Sequence, residues 1–344
     1  MSTSKPLEVT IIGGGVIGVQ MAIGLLNRPN IPAILYGQGT ARGRQGSGMA
    51  FTSNAMENMR QLNPDILKAL DKAANPPRAA VYMTNQHPDF FQRRTHEGEL
   101  PYDFAIRNKA GCDVLRPLPR DQFTAELDKL IPADKFSMRL EKIEAREDGK
   151  RVLTFQNGTT AEIDAVLACD RIRSPTRRMF LDKTDPAAIP HDTRQREYRN
   201  HISWEKVLEI LGDAANNLII NVGPGGYVIT YPFTNPEGKF LGIGAVMQDA
   251  EEWKKLNLKD TTDREGVVKY FSGWEPGVQK LIAALPEAVD FWIIFDSTRH
   301  PLKLYAFGPV CVAGDAAHVS PPFLGVGACL GIEDVLTLAT VFVE

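Results

Sequence analysis

The hydrophobic positions near the N-terminus predict a buried strand followed by a helix. A short, mostly apolar run covers Leu7 to Ile12, and after a glycine-rich turn the apolar positions continue to about Leu26. A second short apolar run at Ala33 to Tyr36 predicts another strand. This order of elements predicts a β-α-β unit and therefore an α/β fold with a parallel sheet.

The same pattern predicts elements along the rest of the chain. We expect strands at 218–221, 227–232, 240–247 and 310–313, and helices beginning near Asn54, at Arg120 and at Ala328. The last helix is expected to run to Phe342, shortly after a second glycine-rich turn.

The first turn, Gly13-Gly14-Gly15-Val16-Ile17-Gly18, matches a dinucleotide-binding fingerprint. In that fingerprint Gly13 makes the tight turn, Gly15 lets the backbone approach a pyrophosphate, and Gly18 allows close packing of helix on strand. An ordinary glycine-rich turn is the alternative interpretation of this segment alone.

A second glycine-rich segment near the C-terminus combines a Gly314-Asp315 corner after a strand with Pro322, Gly325 and Gly327 before a helix. Backbone N–H groups and the partial positive charge of a helix N-terminus suit a phosphate or an electron-rich ring. The two ends of the chain are therefore predicted to build one cofactor site.

Together these segments resemble the class A flavoprotein monooxygenases, the FAD-dependent aromatic hydroxylases of the para-hydroxybenzoate and salicylate hydroxylase type. Further blocks fall in that family's order. The segment 46–55 looks like the "GAGI…PNA" block, Arg120 to Phe123 like the "R-x-x-L" element, and 170–174 like the "DG" motif. The segments 198–202, 221–224, 251–253 and 327–334 are most similar to the fungal branch that hydroxylates phenolic secondary metabolites.

The resemblance implies a set of cofactor-binding residues. Asp315 would bind the ribityl chain of FAD, Gly325 and Gly327 would offer backbone donors to the flavin, and Arg120 would lie near the cofactor. The complete expected set is Gly13, Gly15, Gly18, Gly48, Met49, Arg120, Asp315, Pro322, Gly325 and Gly327. A plain turn role for Asp315 and a surface position for Arg120 are the alternatives. His318 is expected to be structural.

The resemblance also implies the chemistry. Reduced FAD would form a C4a-hydroperoxide with O2, using NADPH or NADH, and this would hydroxylate a small aromatic substrate. A phenolate reacts better than a phenol, so a cation or strong donor is expected at its oxygen. Arg199 and Tyr231 match the phenolate-binding positions of the fungal branch and are the expected catalytic residues. A solvated arginine and a core tyrosine are the alternatives.

The family fold implies a Rossmann-like FAD-binding domain interleaved with a smaller α+β substrate domain. We expect residues 1–75, 110–180 and 291–344 in the FAD-binding domain. Residues 76–109 and 181–290 are expected in the substrate-binding domain.

Composition is that of a soluble enzyme. The chain has 344 residues, 43% hydrophobic content and a net charge of −3, which gives no electrostatic case for nucleic acid or an anionic membrane. Neither a signal peptide nor a membrane span is predicted at the N-terminus. The four cysteines show neither a redox pair nor metal-ligand spacing, which predicts free thiols, no metal and a cytoplasmic location. A monomer or homodimer is expected.

Three departures from the family pattern bear on activity. Gly37 and Gln38 stand where an acid should bind the adenosine ribose, and Arg171 replaces the glycine of the "DG" motif. The sequence ends at Glu344, directly after the predicted last helix, whereas the family continues through further helices. We expect either a shortened product or a helix end that a partner covers. These departures leave an alternative function open: a fold member that has lost oxygenation and serves as a non-redox cyclase, isomerase or ligand-binding protein.

Overall fold

The computed structural model describes residues 6–26, 28, 31–37, 48–74, 91–95, 115–132, 140–182, 184–216, 218–235, 237–255, 257–322 and 325–342. The predictions on Gln38, Gly46, Ser47 and Cys112 lie outside these residues, as does most of the segment 76–109.

The strands within the described residues are β1 Val9–Ile12, β2 Ala33–Tyr36, β3 Gly48–Thr52, β4 Phe91–Thr95, β5 Leu115–Pro119, β6 Leu140–Ala145, β7 Arg151–Phe155, β8 Thr160–Ile163, β9 Ala165–Ala168, β10 His191–Ser203, β11 Leu218–Gly223, β12 Gly226–Asn235, β13 Gly238–Gln248, β14 Lys259–Asp263, β15 Ala288–Asp296, β16 Ala306–Phe307 and β17 Val310–Val312. The helices are α1 Val16–Leu26, α2 Ser53–Leu62, α3 Pro64–Ala73, α4 Arg120–Asp128, α5 Pro175–Phe180, α6 Trp204–Leu211, α7 Arg264–Tyr270, α8 Pro276–Ala283 and α9 Gly327–Val341. None of these helices has both the length and the apolar character that crossing a membrane requires.

The chain forms two compact units. The first comprises Met1–Ala74, Leu115–His191 and Asp296–Glu344, and the second comprises Asn75–Val114 and Asp192–Phe295. That one unit binds FAD and the other the substrate stays a prediction.

In the first unit a five-stranded sheet of described strands has the order β16-β17-β9-β1-β2. Strands β17, β9, β1 and β2 run parallel, and only β16 is antiparallel to its neighbour. All four residues of β1 are buried, as in a strand that is covered on both faces, and three of the four are apolar. The predicted β-α-β start and the parallel sheet are therefore confirmed.

The first and last described helices pack directly against each other in this unit. A Cβ built on Gly331 of α9 would lie 2.7 Å from Cδ1 of Ile17 in α1, and one built on Gly314 would lie 3.4 Å from Ile17. These small residues allow the close approach. The two glycine-rich segments, some 300 residues apart in sequence, thus become neighbours.

In the second unit a sheet of seven described strands has the order β14-β15-β10-β13-β12-β11-β4. Strands β11, β12 and β13 follow each other as antiparallel neighbours, whereas β4 is parallel to β11. The buried side chains Tyr198 and Ile202 of β10 and Val267, Phe271 and Leu281 of the helical segments belong to one hydrophobic core. Helices therefore cover one face of the sheet.

Strand β10 is the main element that the hydrophobic pattern did not predict. Its 13 residues include the charged run from Arg194 to Arg199, which resembled a solvated surface segment. The structure places this run in the middle of the sheet, where Tyr198 and Ile202 on alternate positions enter the core. Arg199, Asn200 and His201 lie between them, so the apolar signal of the strand is weak.

Candidate functional site

The glycine-rich turns of the first unit lie at the carboxyl ends of its parallel strands. The N–H of Gly13 donates to the Tyr36 carbonyl at 2.7 Å, that of Cys169 to the Ile12 carbonyl at 2.7 Å, and that of Ala313 to the Ala168 carbonyl at 2.9 Å. These bonds align the ends of β1, β2, β9 and β17 along one sheet edge. Ligands of open α/β sheets bind at this edge.

The three glycines of the first turn differ in their surroundings as the fingerprint predicts. Gly13 has φ +119°, and a Cβ there would lie 2.2 Å from the Cys169 carbonyl oxygen. A Cβ on Gly18 would lie 1.9 Å from the Gly13 carbonyl oxygen, whereas one on Gly15 would meet no atom within 4 Å. Gly13 and Gly18 are thus needed for turn and packing, and Gly15 faces open space.

Asp334 on α9 holds the Gly-Asp corner in place. Its Oδ2 accepts hydrogen bonds from the Gly314 N–H at 2.7 Å and from Nε2 of His318 at 2.7 Å. The hydrogen bond to Asp334 raises the pKa of His318, although partial burial opposes this. His318 therefore ties the corner to the last helix, in line with the structural role expected for it. The sequence analysis did not single out Asp334 by itself.

Asp315 and Arg120 come close enough to interact electrostatically. Surrounding protein atoms raise the pKa of Asp315, against the lowering influence of Arg120. Its side chain nevertheless keeps accessible surface, so the carboxylate is available to a ligand. Burial lowers the pKa of Arg120, with a further contribution from the positive charge of Arg171. The structure thus brings together Arg120, Arg171 and Asp315, which are far apart in sequence.

The pairing of β3 with β5 brings two more of the expected residues to Arg120. Gly48 lies opposite Pro119, and Met49 lies opposite Leu118. Arg120 follows directly and is the first residue of α4. The segment resembling "GAGI…PNA" and the segment resembling "R-x-x-L" therefore meet in one two-stranded ladder.

Arg171 adopts a left-handed backbone with φ +73°. Glycine takes this conformation without penalty, whereas a side chain costs about 1–2 kcal/mol there. The glycine of the family's "DG" motif thus suits the backbone at this position, and the arginine makes it strained. The Arg171 side chain is exposed.

Arg177 on α5 is buried and was missed by the sequence analysis. Only 1% of its surface is exposed, and its guanidinium donates to the carbonyls of Ile172 (2.6 Å), Ala188 (3.2 Å), Ala316 (3.0 Å) and Asp315 (3.4 Å). Burial lowers the pKa of Arg177 to about 10. The side chain therefore connects the segment after the "DG" position to the Gly-Asp corner. A basic residue in a short helix gives no sequence signal of such a role.

The turn before α9 is also open. Gly325 has φ +63°, its N–H donates to the Pro322 carbonyl at 2.9 Å, and a Cβ there would meet no atom within 4 Å. Gly327 begins α9, and a Cβ on it would lie 3.4 Å from the Ser320 hydroxyl oxygen. The backbone can approach a flat ligand closely at Gly325.

These residues fit a flavin dinucleotide. Gly15 and Gly325 give backbone access at the N-termini of α1 and α9, and the accessible Asp315 carboxylate can accept hydrogen bonds from a polyol chain. Arg120 forms no ion pair with the residues that the structure describes, so its donors are available to the ligand. At the end of β2, Tyr36 is followed by Gly37, which has no side chain with which to bind the adenosine ribose.

Arg199 of the second unit lies beside a buried carboxylate. Its Nη2 donates to Oε2 of Glu197 at 2.6 Å, and its guanidinium lies 5.4 Å from the Trp292 ring centre. The Arg199 side chain is 30% exposed and that of Glu197 8%. Burial would lower the pKa of Arg199, but the hydrogen bond and charge of Glu197 raise it overall. Arg199 is thus partly buried and paired with a carboxylate.

Tyr231 lies on the same face of the sheet as Arg199. In the strand register, Arg199 is opposite Gly244 of β13, and Gly242 on that face is opposite Tyr231. A Cβ on Gly242 would lie 2.5 Å from Cζ of Tyr231, so the tyrosine ring lies over this glycine. Tyr231 is half-buried and belongs to none of the hydrophobic cores. The two expected catalytic residues are brought together on one face.

An aromatic cluster continues from Tyr231 along this face. The ring centres of Tyr231 and Phe233 are 6.2 Å apart, and those of Phe233 and Phe240 are 5.8 Å apart in a stacked arrangement. His201 lies 5.0 Å from Phe240, edge to face. The face opposite the helices is thus polar at Arg199 and aromatic beyond Tyr231.

The neighbouring Arg196 has a purely structural environment. Its guanidinium binds both carboxylate oxygens of Asp192, at 2.8 and 3.0 Å, and its Nε lies 3.2 Å from the Asp249 carboxylate. The N–H of Trp253 also donates to Asp192 at 2.7 Å. This cluster joins the start of β10 to the segment around Trp253.

Comparisons with known proteins identify the family of the chain. Residues 282–344 match the family model described as FAD binding domain. A salicylate hydroxylase of Sarocladium schorii is 36% identical over 343 residues, covering 98% of this chain and 71% of that protein. An FAD-dependent monooxygenase of a Phoma species is 33% identical over 351 residues, covering 98% of this chain and 76% of that protein.

Among solved structures, a salicylate hydroxylase substrate complex is similar with a TM-score of 0.79 and 25% identity, covering 97% of this chain and 79% of that one. This similarity agrees with the α/β fold class expected from the sequence. The relatives cover nearly the whole chain at more than 30% identity. The chain therefore belongs to the FAD-dependent monooxygenases of the salicylate hydroxylase type.

Proposed function

We propose that this FAD-dependent monooxygenase hydroxylates a phenolic ring, with NAD(P)H as reductant and O2 as the oxygen source. The observation that carries the proposal is the pair of donors on one sheet face. Arg199 uses one of its five N–H groups on Glu197, and the Tyr231 hydroxyl has no hydrogen-bond partner among the described residues.

Such donors favour a phenolate over a phenol. A guanidinium and a hydroxyl that both donate stabilise negative charge on a bound oxygen, and they do so more strongly where water is excluded. Deprotonation makes the ring carbon a better nucleophile. The stacked rings of Phe233 and Phe240 offer a surface on which an aromatic substrate can lie.

We assign FAD to the first unit. The open backbone at Gly15 and the N-terminus of α1 would hold the pyrophosphate, Asp315 the ribityl chain, and Gly325 and Gly327 the flavin ring. Arg120 would lie beside it, next to Gly48 and Met49 on the β3–β5 ladder. When bound, FAD supplies the transfer of electrons from NAD(P)H to O2 and of one oxygen atom to the ring.

The test is turnover of the FAD-loaded protein under isotopically heavy oxygen. We expect simple phenols to stimulate NAD(P)H oxidation and to yield a product that carries one heavy oxygen atom. Comparing NADH with NADPH in this assay identifies the reductant. Asp290→Asn, which removes an exposed carboxylate paired with Lys259, is the control variant and should retain turnover.

Two outcomes would contradict the proposal. If phenols left NAD(P)H oxidation unchanged and gave no labelled product, a phenolic substrate would be wrong. If a substrate were converted without NAD(P)H and O2, the protein would be a non-redox enzyme on the same fold.

A further inference from the structure

Glu197 is a buried carboxylate in a place where a phenol-binding site would gain from positive charge. Only 6% of the residue is exposed, and its Oε2 accepts the Arg199 Nη2 hydrogen bond at 2.6 Å. Its other oxygen, Oε1, would lie 3.1 Å from a Cβ built on Gly244. Gly244 has no side chain, and this leaves room for the Glu197 carboxylate on the sheet surface beside Arg199.

Other titratable groups on this side of the sheet surround the pair. Tyr227 and Tyr231 approach from β12, while β13 contributes glycines at Gly242 and Gly244. Beyond Trp292 lies the exposed ion pair of Lys259 from β14 with Asp290 from β15. His201 follows on β10 itself and is exposed.

Arg199 and Glu197 act in opposite directions on the phenol groups of the neighbouring tyrosines. Burial raises the pKa of Tyr231; Arg199 lowers it and Glu197 raises it. The same three influences act on Tyr227, whose pKa is also raised. A substrate phenol bound beside Tyr231 experiences the same two opposing charges.

We propose that Glu197 neutralises Arg199 and thereby sets the protonation state of the phenol bound at this face. This inference rests on the proposed function, because it assumes a phenolic ligand beside Arg199. Glu197 is a positioning residue in this scheme: it fixes one edge of the guanidinium and leaves the others for the ligand. Arg199 paired with Glu197 favours the phenolate less strongly than an unpaired guanidinium would, so that ionisation of the bound phenol still depends on pH.

The test is a pH titration of an ortho-fluorinated para-nitrophenol bound to the FAD-loaded protein, followed by fluorine NMR. This probe ionises near neutral pH, and its fluorine shift distinguishes phenol from phenolate without interference from flavin absorbance. Glu197→Gln keeps an acceptor for Arg199 but removes the charge. We expect the pKa of the bound probe to fall by about one unit or more in this variant.

Companion variants make the result specific. Glu197→Asp keeps the negative charge but moves it away from Arg199, so the probe's pKa should lie between its values in the wild type and in Glu197→Gln. This variant also tests the proposal if Glu197→Gln does not fold. Arg199→Gln should shift the probe's pKa upward. Asp290→Asn removes a carboxylate from the exposed Lys259 pair and should leave the probe's pKa unchanged.

The outcomes separate this proposal from the one on which it rests. If the wild-type protein does not bind the probe saturably, both are wrong. If the probe binds but its pKa is the same in Glu197→Gln, Glu197→Asp and the wild type, only the role of Glu197 is wrong.

Discussion

At the scale of single residues, Arg171 places an arginine side chain on a backbone conformation that favours glycine. It lies at φ +73° between Asp170 and the turn that starts α5. Asp170 accepts the Thr176 N–H at 3.0 Å, and the Ser174 N–H donates to the Arg171 carbonyl at 3.0 Å. The surrounding turn therefore fixes a conformation that arginine disfavours.

We predict that Arg171→Gly stabilises the protein. Relief of the left-handed backbone outweighs the entropy that glycine loses on folding, and the free energy of unfolding should rise by about 0.5–1 kcal/mol. Urea denaturation measures this change. Arg171→Ala removes the charge but keeps the strained φ, so equal stabilisation by alanine would show that charge and not backbone is responsible.

At the scale of secondary-structure elements, Arg177 determines how α5 is anchored. Its guanidinium satisfies carbonyls of the preceding turn, of the segment at Ala188, and of the Gly-Asp corner. A buried charge without a carboxylate partner is costly, and here backbone dipoles replace the partner.

Arg177→Met should therefore destabilise the first unit strongly. The apolar side chain has similar length but leaves several buried carbonyl oxygens unsatisfied, at a cost of about 3–5 kcal/mol in unfolding free energy. Arg178→Met is the matched control on the next, exposed position of α5 and should change stability by less than about 0.5 kcal/mol. Similar denaturation midpoints for the two variants would contradict the anchoring role.

Strand β10 is held at its start by the Asp192–Arg196 pair. Burial would raise the pKa of Asp192, but hydrogen bonds from Arg196 and from the Trp253 backbone lower it overall. The stabilisation from this carboxylate is thus present above the unfolded pKa of about 3.9 and is lost as the pH falls through the lower folded value.

Asp192→Asn should cost about 3–5 kcal/mol of unfolding free energy at neutral pH, because Arg196 stays buried without its main partner. The difference from the wild type should shrink as the pH falls below about 4, because the carboxylate then binds a proton in the unfolded chain and, at the lower folded pKa, in the native protein as well. Asp249→Asn, whose carboxylate is 41% exposed, should cost less than about 1 kcal/mol. If the loss of unfolding free energy in Asp192→Asn did not vary with pH, the charge of Asp192 would not contribute to stability.

At the scale of the whole molecule, the two compact units divide the expected site residues between them. All ten expected cofactor residues belong to the first unit, and Arg199 and Tyr231 belong to the second. This division makes cofactor binding and substrate chemistry separable by mutation.

Asp315→Ala should lower FAD affinity by about 1.5–3 kcal/mol, the value of a hydrogen bond to a charged group. Arg199→Ala should leave FAD occupancy unchanged but reduce coupled hydroxylation, and Arg199→Lys should restore only part of it. Titration of flavin fluorescence measures the FAD affinity. The amount of hydroxylated product per NAD(P)H oxidised measures the coupling. Loss of flavin in Arg199→Ala would contradict the assignment.

The sequence by itself determined the elements whose pattern is local. The apolar runs of β1, β2 and α1 and the roles of Gly13 and Gly18 follow from short-range geometry, because turns and strand periodicity depend on neighbouring residues. Cys169, Cys311 and Cys329 are free thiols, as their spacing predicted.

Only the tertiary structure decided which distant groups meet. The Asp334 carboxylate reaches the Gly314 N–H because α9 packs against the Gly-Asp corner, and the Arg177 guanidinium reaches the Ala316 carbonyl across 139 residues of sequence. An acidic or basic residue in a sequence is ordinarily a solvated one, and its partner is set by contacts between segments far apart in the chain. The physical reason is that long-range pairing is fixed by burial of the whole sheet, which no local pattern encodes.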